Sequence, residues 1–185
     1  MTRLRPIIRY LTALMCLGAA FLLLARSGLP DRIDLSQDAK ASSAALEIGS
    51  PAPPFELMNT LGQAVALEGI EGVPTVINFW ATWCAPCRQE MRDLQQLQGS
   101  RPDSVRVLAI NMGEAADLVA DWRSELGLSY DLLLDPALSV SERYLVRGLP
   151  TTYLLDSAGQ IRKVYYGPVT YKQLDGDIQR LAQRA

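Results

Sequence analysis

The stretch Asn78-Phe79-Trp80-Ala81-Thr82-Trp83-Cys84-Ala85-Pro86-Cys87 decides how this chain is read. Thr75 to Trp80 is a continuous apolar run, suited to a strand buried on both faces. Cys87 to Leu97 follows, with Met91, Leu94 and Leu97 at the spacing of one helix face. Two thiols therefore lie where a buried strand hands over to a helix. A helix N-terminus carries unpaired N–H groups and about half a positive charge, so it stabilises a thiolate placed there. Cys84 is expected to be the attacking thiol. Cys87, about one turn further along the same face and less exposed, is expected to resolve a mixed disulfide formed at Cys84. Pro86 suits the first turn, where a missing N–H costs nothing. A structural disulfide closing so small a loop would constrain the unfolded chain very little. A metal site is short of ligands, because the chain has no histidine and only one further cysteine, Cys16. The absence of histidine also removes Ser-His and Cys-His catalysis and covalent haem attachment at Cys-x-x-Cys-His.

Outward from this stretch, strands and helices alternate. Phe55 to Leu57 and Ala64 to Leu67 read as two short strands about the turn Asn59 to Gly62. Val105 to Ile110 reads as a second buried strand, and Ala115 to Leu126 as a helix stopped by Gly127. Tyr130 to Leu134 is a short strand and Pro136 to Leu145 a helix. Thr151 to Leu155 and Ile161 to Tyr166 form a hairpin about Asp156 to Gly159, and Leu174, Ile178 and Leu181 mark a last helix. The pattern predicts an α/β fold with a central mixed sheet flanked by helices.

The ends of the chain differ in charge. Of 18 Lys and Arg residues, four (Arg3, Arg5, Arg9 and Arg26) precede Leu29, while all 20 acidic residues lie from Asp31 onward. The body thus holds 14 basic against 20 acidic residues, net −6, which argues against a nucleic-acid partner. Arg3, Arg5 and Arg9 precede an uncharged run of 16 residues, Tyr10 to Ala25, which reads as an export signal or a membrane anchor. Residues 1–28 are read as an uncleaved single-pass anchor of a bacterial inner membrane with its basic end in the cytoplasm; the alternative is a signal peptide whose removal releases a secreted body. Cys16 lies inside the run, and Met15 before it is too large for a lipidation site. Residues 29–47, polar and small, read as a tether, and residues 48–185 as one domain. Such a body faces a compartment where disulfide chemistry operates.

Four stretches together resemble the thioredoxin superfamily, and within it the membrane-tethered TlpA/ResA-like branch. They are Gly49-Ser50-Pro51-Ala52-Pro53-Pro54-Phe55, the Trp-Cys-Ala-Pro-Cys junction, Gly148-Leu149-Pro150-Thr151-Thr152 and Asp156-Ser157-Ala158-Gly159-Gln160-Ile161. The first is shared with AhpC/TSA-type redoxins. The resemblance implies a thioredoxin-like fold with an N-terminal β-hairpin and a central insertion between Cys87 and Pro150. It also implies thiol-disulfide oxidoreductase activity with no cofactor beyond the Cys84/Cys87 pair. Leu149-Pro150 is then a cis peptide beside the cysteines, and Leu149, Pro150, Trp83 and Pro86 contact an extended substrate strand. Glu90, three residues after Cys87, resembles the Glu of Cys-x-x-Cys-x-x-Glu. Its charge would raise the thiol pKa values and it would assist proton transfer; otherwise it is a solvated helix residue.

Asn78 stands where cytoplasmic thioredoxins have a buried Asp, and an amide cannot titrate. Arg92 replaces a helix-kinking proline, implying a straighter first helix. Trp80 reads equally as core or site surface, and Arg88 as a charge beside the thiols or a solvated residue.

The expected partners are protein dithiols and disulfides, apocytochrome c among them, with a membrane protein as electron donor. The expected direction is reduction, since a dedicated reductant is what an oxidising compartment lacks. Two alternatives are a peroxiredoxin-like peroxidase, whose Pro-x-x-x-Thr-x-x-Cys motif is absent in strict form, and a non-catalytic assembly factor on a thioredoxin scaffold.

Overall fold

The computed structural model describes residues 46–68 and 72–183. Most of the segment read as anchor and tether, and Cys16, lie outside the described residues; among those described, no helix is long and apolar enough to cross a membrane.

Seven strands form one mixed sheet: β1 (Glu56–Asn59), β2 (Ala64–Ala66), β3 (Thr75–Trp80), β4 (Arg106–Met112), β5 (Asp131–Asp135), β6 (Thr151–Leu155) and β7 (Ile161–Tyr166), in the order β2-β1-β5-β4-β3-β6-β7. The central trio β3, β4 and β5 is parallel, and β6 returns antiparallel against β3 with Asn78 opposite Thr152. Every residue of β3 is buried, as a strand covered on both faces requires.

The side-chain alternation of β3 divides the core. Val76 and Trp80 face a layer completed by Met91, Leu94 and Leu97 of α1 (Ala85–Ser100), Val119 of α2 (Ala116–Leu126) and Leu174 and Ile178 of α4 (Tyr171–Ala182). Ile77 and Phe79 face the opposite layer, built from Phe55, Val140, Tyr144, Tyr153 and Ile161. There Tyr144 packs on Phe79 and Tyr153, with ring centroids 5.2 and 5.1 Å apart, and donates its hydroxyl to the Pro53 carbonyl at 2.8 Å. That bond pins the Pro-rich N-terminal stretch to the core.

The expected strands and helices are present, most of them shifted at an end by one or two residues. The first strand is β1, Glu56–Asn59, which pairs on one side with its hairpin partner β2 and on the other with β5. The helix expected over Pro136 to Leu145 is only α3, Ser139–Arg143. The buried Asp135 carboxylate accepts from the Ser141 N–H and hydroxyl at 2.8 and 2.7 Å, and Leu138 before the helix takes a left-handed φ of 58°. This side-chain cap sets the start three residues later than the apolar pattern suggested. Helix α1 begins at Ala85, with Cys84 as its N-cap and Pro86 in the first turn, and continues unbroken through Arg92 to Ser100. Helix α2 ends at Gly127 in the left-handed region, φ 63°.

Candidate functional site

The site forms where β3 ends and α1 begins. Cys84 and Cys87 are joined in a disulfide with Cα atoms 5.3 Å apart. The first-turn geometry accounts for this, since the Cys87 N–H donates to the Cys84 carbonyl at 3.0 Å and brings the two side chains to one face. Cys84 keeps 4% of its surface exposed and Cys87 none. An incoming thiol or disulfide therefore meets Cys84 first, and Cys87 backs it from within.

The Leu149-Pro150 peptide is cis. Pro150 is buried, its carbonyl accepts from the Gly167 N–H at 2.9 Å, and Thr151 Oγ1 donates to the Gly148 carbonyl at 2.7 Å. Among the described residues, the Leu149 N–H and C=O make no hydrogen bond, so both are available to a partner strand.

The two tryptophans separate cleanly. Trp83 is 73% exposed, whereas Trp80 is fully buried and stacks on Trp122 at 5.7 Å. Of its two readings Trp80 takes the core one. Arg88 pairs with Glu125 of α2, and its guanidinium lies 5.0 Å from the Trp122 ring centroid. It ties α1 to α2.

Glu90 is not a solvated helix residue. It is 1% exposed, lies one turn beyond Cys87 on the buried face of α1, and accepts the Thr152 hydroxyl on Oε1 at 2.7 Å. Thr152 in turn accepts from Asn78 Nδ2 at 2.8 Å. Asn78, Thr152 and Glu90 thus form a buried chain reaching from β3 through β6 to α1. Burial pushes the Glu90 pKa up from 4.5 to about 7, with the Thr152 hydrogen bond offsetting part of that rise. Among the described residues, Glu90 Oε2 and Asn78 Oδ1 are buried without a hydrogen-bond partner. A carboxyl poised near neutrality beneath a buried thiol can take up and return a proton.

Two contributors were not singled out in the sequence. Thr152 stands inside the quoted Gly148–Thr152 stretch, yet its pairing with Asn78 depends on the β3–β6 register. Glu114, in the loop after β4, accepts from both the N–H and the hydroxyl of Thr82; no local pattern marks it.

The AhpC/TSA family profile matches residues 48–164, well over half of the chain. The chain belongs to the AhpC/TSA family. Within that family it is 33% identical over 131 residues to the thiol-disulfide oxidoreductase ResA of Bacillus subtilis, covering 70% of this chain and 73% of that protein. It is 32% identical over 145 residues to the thioredoxin-like protein YneN of the same organism, covering 77% of this chain and 85% of that one. Among solved structures, StoA from Bacillus subtilis superposes with a TM-score of 0.60 at 27% identity, covering 67% of this chain and 95% of StoA. A thiol:disulfide interchange protein of the thioredoxin family from Chlorobium tepidum gives 0.66 at 26%, covering 73% and 97%. This AhpC/TSA member has the thioredoxin-like fold and is a thiol-disulfide oxidoreductase of the ResA and StoA type, with Cys84 and Cys87 as its pair.

Proposed function

We propose that this oxidoreductase works outside the cytoplasm, held to the membrane by residues 1–28, and that it reduces disulfides in other proteins. The observation that carries the reading is the graded burial of the pair, Cys84 at the surface and Cys87 sealed behind it, above a carboxyl with a pKa near 7.

In the dithiol form the Cys84 thiolate, favoured by the α1 N-terminus, attacks one sulfur of a substrate disulfide. The substrate S–S bond breaks, a mixed disulfide forms, and the released substrate thiolate takes a proton. Glu90 then accepts the Cys87 proton, and the Cys87 thiolate attacks the Cys84 sulfur. The second substrate thiol leaves, two electrons have passed to the substrate, and the Cys84–Cys87 disulfide remains. A membrane protein that supplies two electrons restores the dithiol. The substrate strand lies along Leu149, whose free backbone groups can pair with it, against Pro150, Pro86 and the exposed Trp83. Apocytochrome c, whose Cys-x-x-Cys-His pair must be reduced before haem attachment, is a substrate of the right chemistry.

The test is the reduction potential of the pair, equilibrated against glutathione and dithiothreitol buffers with alkylation as the readout. A reductant should lie at or below about −270 mV, the thioredoxin value; a result near −120 mV would make the protein an oxidant and remove the assignment.

A further inference from the structure

The turn that delivers Cys84 is held by a carboxylate from the loop after β4. Ala81, Thr82 and Trp83 lie between β3 and the N-cap of α1. Thr82 N–H donates to Glu114 Oε2 at 2.7 Å, and Thr82 Oγ1 donates to Glu114 Oε1 at 2.5 Å, so both carboxylate oxygens engage one residue of the turn. Glu114 is itself held. Asn111 Nδ2 donates to Glu114 Oε2 at 2.7 Å, and Asn111 Oδ1 accepts the Glu114 N–H at 3.2 Å. Asn111 is fully buried in β4, opposite Trp80 in the parallel register. The carboxylate is therefore oriented from the sheet, independently of the turn it grips. The turn is also closed on itself by the Cys84 N–H donating to the Ala81 carbonyl at 3.1 Å. Wherever Glu114 places Thr82, Cys84 follows.

The acceptor-only carboxylate takes all three of these donors, and it also brings a negative charge to the turn. Thr82 stands two residues before Cys84, a span of at most about 7.6 Å between their Cα atoms, so the charge that grips Thr82 belongs to the same end of the sheet as the thiol. A negative charge there disfavours a thiolate and so opposes the pull of the α1 N-terminus.

We infer that Glu114 is a positioning residue of the redox pair: it aims Cys84 through Thr82, and its charge weakens the acidity of the Cys84 thiol. Anything that stabilises the thiolate stabilises the reduced protein and makes its disulfide a better oxidant. Glu114 acts the other way and keeps the pair reducing. That last consequence rests on the reductant reading above; the clamp and the charge effect do not.

The test uses the full chain in its dithiol form and follows the rate of Cys84 alkylation by iodoacetamide against pH. Glu114→Gln leaves an acceptor oxygen for the Thr82 N–H but removes the charge. Its midpoint should fall by about half a pH unit or more, a threefold rise in the acid constant. An unchanged or higher midpoint overturns the charge role. Glu114→Ala removes the grip as well, and its rate of disulfide reduction by dithiothreitol should change at least threefold relative to Glu114→Gln. Equal rates in the two variants overturn the positioning role. If Glu114→Ala does not fold, Glu114→Gln paired with Thr82→Val, which deletes the hydroxyl donor alone, replaces it with the same two outcomes. Asp103→Asn, in the loop before β4 at the opposite end of the sheet, removes an equal charge and should leave the midpoint in place; a matching shift there would reduce the Glu114 effect to net charge and overturn it. The wild-type equilibrium with glutathione, measured on the same samples, separates the two readings. An oxidising wild type removes the reductant assignment while the Glu114 comparison stands or falls on its own midpoints.

Discussion

Thr152 and Glu90, 62 residues apart in the chain, share a buried hydrogen bond of 2.7 Å beneath the cysteines. Thr152 is fully buried and Glu90 nearly so, and the Thr152 oxygen already accepts from Asn78. The hydroxyl hydrogen is thereby aimed at the carboxylate. This one bond offsets part of the burial that would otherwise hold Glu90 neutral to still higher pH.

Glu90 should make the protein less stable as pH rises. Its folded pKa, about 7, lies above the ordinary 4.5, so between those values the folded state keeps a proton that the unfolded chain releases. The stability linked to that proton is full below about pH 4.5 and is lost as pH climbs through 7, to a total of up to ~3 kcal/mol. Glu90→Gln should flatten this slope, and urea denaturation from pH 4 to pH 8 would reveal it. A slope equal to that of the wild type would show that Glu90 ionises without cost.

Asn78→Asp would put a second carboxylate on Thr152. Two buried acids sharing one hydroxyl cannot both ionise cheaply. The variant should lose about 2 kcal/mol of stability at pH 8 and recover much of it at pH 5. Equal losses at both pH values would point to packing in place of charge.

The two cysteines should behave differently when replaced one at a time. Cys87→Ser removes the resolving thiol, so the mixed disulfide at Cys84 should persist and be isolable on a non-reducing gel with a disulfide-containing protein. Cys84→Ser should form little of it, because Cys87 has no exposed surface. Comparable yields from both would overturn the order of attack.

Trp80 and Trp83 divide structure from contact. Trp80→Ala should cost about 3–5 kcal/mol in chemical denaturation, since it empties a fully buried site. Trp83→Ala should cost under about 0.5 kcal/mol while lowering the rate of protein-disulfide reduction several-fold. A Trp83 variant with unaltered rate would take that side chain out of the docking surface.

Much of this is legible in the sequence. The bounds of β3, β6 and β7 are those expected from the sequence, because runs of buried β-branched and aromatic residues bordered by Gly, Pro and Asp leave little freedom. The Cys84/Cys87 pair was local and plain. Glu90 could be placed on the helix face below Cys87 from spacing, yet its burial could not, since that depends on β6 arriving overhead. Glu114 and Thr152 were invisible for the same reason: their roles arise from strand register and loop approach between segments far apart in sequence. Helix α3 is shorter than its apolar pattern because the Asp135 carboxylate, bonded to Ser141, fixes the first turn within a pattern that runs past it in both directions.

The placement of β6 also bears on when the protein becomes competent. Cys84 and Cys87 leave the ribosome more than sixty residues ahead of Pro150 and Thr152, and a nascent chain ending near Leu145 carries both thiols but neither the Pro150 platform nor the hydroxyl that tunes Glu90. Newly made thiols thus stay untuned through most of synthesis. Redox competence arrives with the closing hairpin, so an interrupted chain holds a dithiol that lacks its acid–base partner and its docking edge.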